Sequence, residues 1–209
     1  MAHERLGHFL SPIWRLLQAV LSQKINMQSF ISFINLFWST STVIADLLII
    51  VLVIAIFSPK LNKTSFVQFF EKKSLMIAFL VSFLATLGSL IYSDVIGYEP
   101  CKLCWFQRIF MYPQVILFGI AIFRRDIKMK IYGIALSSIG AIIALFHYVG
   151  QIGWNPFGLQ CLAVGYSASC AKNFVMQFDY ITIPMMALSA FILILMTLCT
   201  KTSHLPSQT

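Results

Sequence analysis

The run Ser74–Tyr92 carries no charged residue for nineteen positions. A helix needs ~20 residues to cross the hydrocarbon of a bilayer. Three further runs read the same way: Ile109–Phe123, Ile131–Val149 and Ile181–Cys199. Ile109–Phe123 is about 15 residues long and crosses only if Trp105–Arg108 is helical too and reaches the interface. All four are apolar on every face, which a soluble amphipathic helix is not. Strands would need a closed barrel with alternating polarity, and no such alternation is present. The composition agrees: 59% of the 209 residues are hydrophobic and 11% charged, against about a quarter charged in a soluble domain. The expected fold is an all-α integral membrane protein, a four-transmembrane-helix bundle.

An earlier apolar stretch, Phe30–Phe57, predicts an additional N-terminal membrane helix over about residues 34–57. Asp46 interrupts it, at a cost of roughly 2.5–3.5 kcal/mol on insertion scales, which the following Leu, Ile and Val residues offset. The alternative is a helix lying on the membrane surface. The first thirty residues, with Arg5, Arg15 and Lys24 among apolar side chains, suit such a surface helix too. They lack the layout of a signal peptide. Three segments follow: residues 1–73 as an N-terminal extension, 74–199 as the four-helix domain, and 200–209 as a cytoplasmic tail.

The charges orient the bundle. Lys60, Lys63, Lys72, Lys73, Arg124, Arg125, Lys128, Lys130 and Lys201 fall on one side, and Lys102, Arg108 and Lys172 on the other. Nine against three puts the richer side in the cytoplasm. The net charge of +8 is then a topology signal, and nucleic acid is not an expected partner. Two segments face the other side: Ser93–Glu99, and Gly150–Tyr180, about thirty residues, longer than most connections and so a candidate for function. Trp154 and Phe157 in "GWNPFGLQC" suit the interface.

Four of the five cysteines lie in or beside these segments: Cys101 and Cys104 in "EPCKLCWFQR", Cys161 and Cys170 in the long loop. Cys199, in the last span, is expected to be a small packing residue. Thiols outside the cytoplasm pair. Cys101 with Cys104 and Cys161 with Cys170 is the simplest arrangement, but four cysteines allow three pairings and sequence does not choose among them. Plain structural disulfides are one reading. Zinc is another, although the Cys161–Cys170 spacing exceeds that of a zinc ribbon, and no metal is expected. A haem motif needs His after the second cysteine, where Trp105 stands.

Local chemistry favours redox work. A Cys-x-x-Cys disulfide closes so short a loop that it adds little stability through chain entropy. Cys104 falls at a helix start, where unpaired amides favour a thiolate. Arg108 lies four residues on, along the same helix face, and can stabilise a thiolate or another anion. An isolated arginine there also suits a lipid-headgroup anchor. His147, in "LFHYVGQIGW", reads first as a histidine bonded to a neighbouring helix or water, and Gln107 is similarly ambiguous. Pro113 and Pro184 read as helix-shaping residues.

"PCKLCWFQRIFMYP" and "CLAVGYSASCAKNF…YITIP" resemble the disulfide bond formation protein B family, especially its thiol–disulfide oxidoreductase C branch. The resemblance covers residues 74–199 and leaves 1–73 outside. It implies a multi-pass protein of the cell (inner) membrane, both cysteine loops extracytoplasmic, that reoxidises an extracytoplasmic thioredoxin-like thiol oxidase and passes the electrons to a membrane quinone (ubiquinone or menaquinone). It further implies redox-active disulfides Cys101–Cys104 and Cys161–Cys170, all four cysteines catalytic. The partner would attack at Cys161, Cys170 would exchange with the first pair, and Cys104 would lie nearest the quinone. Arg108 would stabilise the Cys104 thiolate and the reduced quinone oxygen, and His147 occupies a place like that of a quinone-proximal histidine. Two other classes stay open: a vitamin-K-epoxide-reductase-like quinone reductase, whose motif lies later in the bundle, and a non-catalytic membrane scaffold with structural disulfides.

Overall fold

The computed structural model describes the backbone of residues 2–58, 64–153 and 175–200, with side chains from Asn26 onward and Phe57 excepted. The helices are α1 (Ala2–Phe57), α2 (Ser65–Lys72), α3 (Ser74–Leu90), α4 (Lys102–Arg124), α5 (Lys130–Gln151) and α6 (Ile183–Cys199). A π-helical turn, Ile91–Val95, extends α3, and a 3-10 turn, Ile127–Met129, precedes α5. Among the described residues the only β-type pairing is an isolated bridge between Gln177 and Ile181. The chain is thus an all-α membrane bundle.

Asn26–Ile56, Ser74–Val95, Lys102–Arg124 and Ile127–Gln151 are each long and apolar enough to cross a membrane, and α6 is a shorter apolar helix of 17 residues. The Trp105–Arg108 turn is helical and lengthens α4, as the short Ile109–Phe123 run required. The last helix starts later than its apolar run suggested. Ile181 is held in the bridge to Gln177, Thr182 is the N-cap, and Pro184 sits in the first turn. A proline there removes an amide that has no helical partner anyway, so Pro184 frees no carbonyl. Pro113 does lie inside α4.

The chain divides into two units, residues 1–37 and 38–209. The first is helical from Ala2 onward. The second holds the rest of α1 and every other element.

Helix α5 organises the second unit. Its buried residues are Gly133, Ser137, Gly140, Ala144 and His147, a stripe advancing by four and three residues along one face. Four of the five are small, which in lipid lets backbones approach closely. A Cβ on Gly140 would collide with the Phe191 ring of α6, and one on Gly133 would meet Phe118 of α4. Phe118 and Phe191 are both fully buried and fill the space that the glycines leave. Ala78, Met111, Ala144, Leu188, Ile194 and Leu198 complete the core between α3 and α6. Ser137 Oγ donates to Gln114 Oε1 at 2.9 Å, and Gln114 Nε2 donates to the Phe110 carbonyl at 2.8 Å, so the amide is satisfied on both sides.

Within the second unit the C-terminal part of α1 packs on the bundle. Leu52 is fully buried beside Leu193. The Trp38 indole lies where a Cβ on Gly88 would come within 3.1 Å of it. Asp46 Oδ1 accepts a hydrogen bond from Ser189 Oγ of α6 at 2.5 Å, which gives the carboxyl group a partner inside the bundle.

The close α5–α6 approach is testable. Gly140→Ala pushes a methyl group into a ring that has nowhere to go, and overpacking of this kind costs about 1–3 kcal/mol. Gly119→Ala is the control, because its Cβ would lie 3.6 Å from the Phe79 ring, an ordinary contact. In detergent, the thermal unfolding midpoint should fall by several degrees for Gly140→Ala and stay level or rise for Gly119→Ala. Equal midpoints would contradict this packing.

Candidate functional site

The site lies where α3 gives way to α4. The π-helical turn carries the chain to Gly97, whose φ of 83° belongs to the left-handed region that glycine enters without penalty. The Tyr98 amide donates back to the Tyr92 carbonyl at 2.9 Å, and the two rings stack with centroids 6.0 Å apart. This tight return delivers Pro100 and then Cys101 to the start of α4.

Cys101 is the N-cap of α4, with extended backbone at φ −69° and ψ 169°. Its sulfur accepts the Cys104 amide hydrogen bond at 3.4 Å, a role that Ser, Asp or Asn usually plays. The Trp105 amide closes the first helical bond onto the Cys101 carbonyl at 3.1 Å. The Cys-x-x-Cys spacing thus makes one cysteine the cap and places the other in the first turn. The two sulfurs lie 3.1 Å apart as free thiols. This is the dithiol arrangement.

Helical register separates the two. The buried face of α4 runs Leu103, Gln107, Met111, Gln114, Phe118 and Ala121. Cys104 and Arg108 each follow one of these positions and lie half-buried on the flank, next to the exposed Trp105 and Ile109. Cys101 is buried against Leu103 and Ile143.

His147 ends the buried stripe of α5 and is 1% exposed. Its Nε2 lies 3.6 Å from Cys101 Sγ, and its Nδ1 lies 3.1 Å from Gln107 Nε2. With the Gln107 amide as donor, Nδ1 accepts, Nε2 carries the proton, and that proton points at sulfur. The Cys104 hydrogen bond and then burial push the Cys101 thiol up to about 12, with His147 pulling the other way. Cys101 therefore keeps its proton.

Arg108 is held from α3. Its Nε donates to Ser89 Oγ at 3.0 Å and an Nη donates to the Ser89 carbonyl at 3.1 Å. Tyr112 Oη donates to the same hydroxyl at 3.2 Å. The guanidinium carbon lies 5.2 Å from the Trp105 ring centroid and 5.9 Å from that of Tyr112, within cation–π range.

The structure brings together Cys101, Cys104 and His147, with Arg108 one turn along from Cys104. Cys161 and Cys170 lie outside the described residues, as do Trp154 and Phe157. Cys199 is exposed at the end of α6, so it is not the packing residue that the apolar run suggested. The sequence did not single out Ser89. Its one signal is a hydroxyl inside an apolar span, and serines of that kind usually bond within their own helix.

The asymmetry of the pair can be measured. Cleavage after Lys102 separates Cys101 from Cys104. In the reduced protein, maleimide should modify Cys104 roughly tenfold faster or more, since the thiolate is the nucleophile and Cys101 is both buried and protonated. Mass spectrometry of the two peptides reads the ratio, and equal rates would contradict the assigned proton.

Comparison with known proteins places this chain in a family. Residues 71–201 match the family described as disulfide bond formation protein DsbB. "Probable disulfide formation protein C 1" of Bacillus anthracis is 43% identical over 129 residues, covering 59% of this chain and 90% of that protein. Disulfide bond formation protein C of Bacillus subtilis is 40% identical over 125 residues, covering 60% of this chain and 89% of that one. The SPbeta prophage-derived disulfide bond formation protein B of Bacillus subtilis is 39% identical over 125 residues, with 60% and 82% covered. No solved structure gives a significant match. With the family matched over more than half its length and the paired thiols seated at the start of an apolar helix, the chain belongs to the DsbB family of disulfide bond formation proteins.

Proposed function

We propose that this protein is a quinone-dependent thiol–disulfide oxidoreductase of the cell membrane. It reoxidises an extracytoplasmic thioredoxin-like disulfide oxidase through Cys161–Cys170 and discharges the electrons through Cys101–Cys104. The observation that carries the reading is the dithiol at the start of α4, with one sulfur buried against His147 and the other half-exposed one turn from a fixed arginine. Family membership supports membrane disulfide chemistry, and the nine-to-three charge asymmetry supports outward-facing cysteine loops.

Each exchange step needs a thiolate in line with a disulfide and moves two electrons. A thiolate of the partner attacks Cys161, forms a mixed disulfide and expels Cys170. The partner's second thiol resolves that mixed disulfide and releases the oxidised partner. Cys170 then attacks the Cys101–Cys104 disulfide, and Cys161 closes the loop disulfide again. Cys101 and Cys104 are left as the dithiol, with two electrons and two protons to discharge.

The residues present suit a quinone at this point. A flat ring with carbonyl acceptors needs apolar or aromatic walls and a fixed donor. Exposed Trp105 and Ile109 offer the first, and the Arg108 guanidinium, anchored on Ser89, offers the second. A bound quinone supplies the two-electron oxidant that regenerates the Cys101–Cys104 disulfide. Cys104 faces the flank of α4 as the reacting sulfur, Arg108 stabilises negative charge beside it, and Gln107 holds the His147 ring against Cys101.

Turnover tests the reading. The purified protein with a reduced thioredoxin-like partner should reduce quinone, and the reading fails if it does not. Cys104→Ser should stop turnover while Cys161–Cys170 still traps the partner as a mixed disulfide. Replacing Cys161 and Cys170 with Ser should abolish partner oxidation while leaving Cys101–Cys104 open to reoxidation by quinone.

The arginine gives a separate prediction. Arg108→Ala should raise the apparent KM for quinone about tenfold or more, and Arg108→Lys should recover only part, because an ammonium lacks the planar fork. Ser89→Ala should raise KM by a smaller factor, since it removes the bond to Nε while the Ser89 carbonyl still holds the guanidinium. An unchanged KM in Arg108→Ala would leave Arg108 as a lipid anchor.

A further inference from the structure

The sulfurs of Cys101 and Cys104 and a ring nitrogen of His147 all lie within 4.8 Å of one another. Three soft or borderline donors converging on one point is more than a disulfide needs. We propose that the reduced Cys101–Cys104 pair and His147 form a zinc(II) site, and that zinc holds the pair in its reduced form.

The fit follows from bond lengths. Zinc sits about 2.3 Å from sulfur and about 2.0–2.1 Å from imidazole nitrogen, which in a tetrahedron separates two sulfurs by about 3.8 Å and a sulfur from a nitrogen by about 3.5 Å. The Cys101 Sγ to His147 Nε2 distance is already 3.6 Å. The sulfurs, at 3.1 Å, must part by roughly 0.7 Å to reach that geometry, which a rotation of the half-buried Cys104 side chain provides. The Cys104 amide bond to Cys101 Sγ favours a thiolate ligand as it favours any anion at a helix start.

The surroundings of the histidine suit a ligand. A metal-bound imidazole usually gives its other N–H to an acceptor that fixes ring and tautomer. Gln107 stands at that position, 3.1 Å from Nδ1. Turning its amide by half a revolution presents Oε1 to an Nδ1–H, and Nε2 then offers its lone pair toward Cys101. The protein supplies three ligands. The half-exposed side of Cys104 leaves the fourth position to water or another small ligand.

Binding from the dithiol forms two Zn–S bonds and one Zn–N bond and releases two protons, and no electron moves. The disulfide has no thiolate to offer, so zinc and oxidation exclude each other. Zinc would therefore compete with reoxidation of the pair and arrest the protein after it has accepted electrons. This goes beyond the function proposed above, because zinc binding needs neither turnover nor quinone.

The test uses the full chain in detergent with Cys161, Cys170 and Cys199 replaced by Ser, so that only the pair under study can bind. After reduction, zinc analysis should find one ion per chain. After oxidation of the pair with diamide, it should find less than a tenth of that. Cobalt(II) in place of zinc should show tetrahedral d–d bands and sulfur-to-cobalt charge transfer, and Cys104→Ser should lose roughly half of that charge transfer. His147→Ala should weaken zinc at least tenfold. If that variant fails to fold, Gln107 reads the same contact: Gln107→Ala should weaken zinc about 10–100-fold, while Gln107→Glu should retain or strengthen it. Absence of zinc from the reduced protein would overturn the proposal. So would equal zinc in the oxidised protein, or an affinity that neither the His147 nor the Gln107 substitution changes. A protein that binds zinc but does not reduce quinone would uphold the site and remove only the proposed function.

Discussion

The close approach of α5 to α4 and α6 is the contact on which the site depends. Gly133, Ser137, Gly140 and Ala144 let the helix backbones draw together, and the Phe118 and Phe191 rings occupy the space left over. His147 is the next residue in that stripe. Its imidazole reaches Cys101 because the four positions before it carry small side chains. A bulkier α5 would stand farther from α4, and the 3.6 Å and 3.1 Å contacts of His147 would open together. In lipid the hydrophobic effect gives no preference for helix over tail, so packing and hydrogen bonds must hold such an arrangement.

Three polar side chains at membrane depth follow the same rule. Water is not there to satisfy them, so each needs a partner within the bundle. Gln114 is closed by Ser137 and the Phe110 carbonyl, Asp46 by Ser189, and Arg108 by Ser89. Three of these pairings use a serine on a neighbouring helix. Each is worth only about 0.6 kcal/mol on average in comparable membrane proteins. Their value here is directional, since they fix rotation and depth where apolar packing alone would allow sliding. The Asp46–Ser189 bond also joins α1, which lies outside the matched residues 71–201, to the last helix of the bundle.

Much of this architecture was legible in the sequence. Uncharged runs located the helices, because length and apolarity decide which segments cross a bilayer. The end of the last helix was legible and its start was not, since the Gln177–Ile181 bridge is a local pairing that hydropathy does not register. Cys101 and Cys104 were legible as a pair from spacing alone. Their difference was not: Cys101 is the cap and Cys104 the flank, a matter of one residue in helical phase. His147 and Gln107 each looked ambiguous because forty residues separate them in sequence, and only the α4–α5 packing makes them a unit. Ser89 was invisible for the opposite reason. A lone serine in a span is ordinary, and its meaning comes from the arginine that reaches it from the next helix.

The difference between the two sulfurs gives the proposed electron path its direction. Cys101 sits in the core, accepts bonds from the Cys104 amide and from His147, and holds its proton. Cys104 is half-exposed beside Trp105 and one turn from Arg108. The same division explains why the pair is not two equivalent thiols at a helix start. N-cap geometry buries the first cysteine, and the three-residue step carries the second almost one full turn onward, far enough to leave the buried stripe but close enough for the two sulfurs to bond.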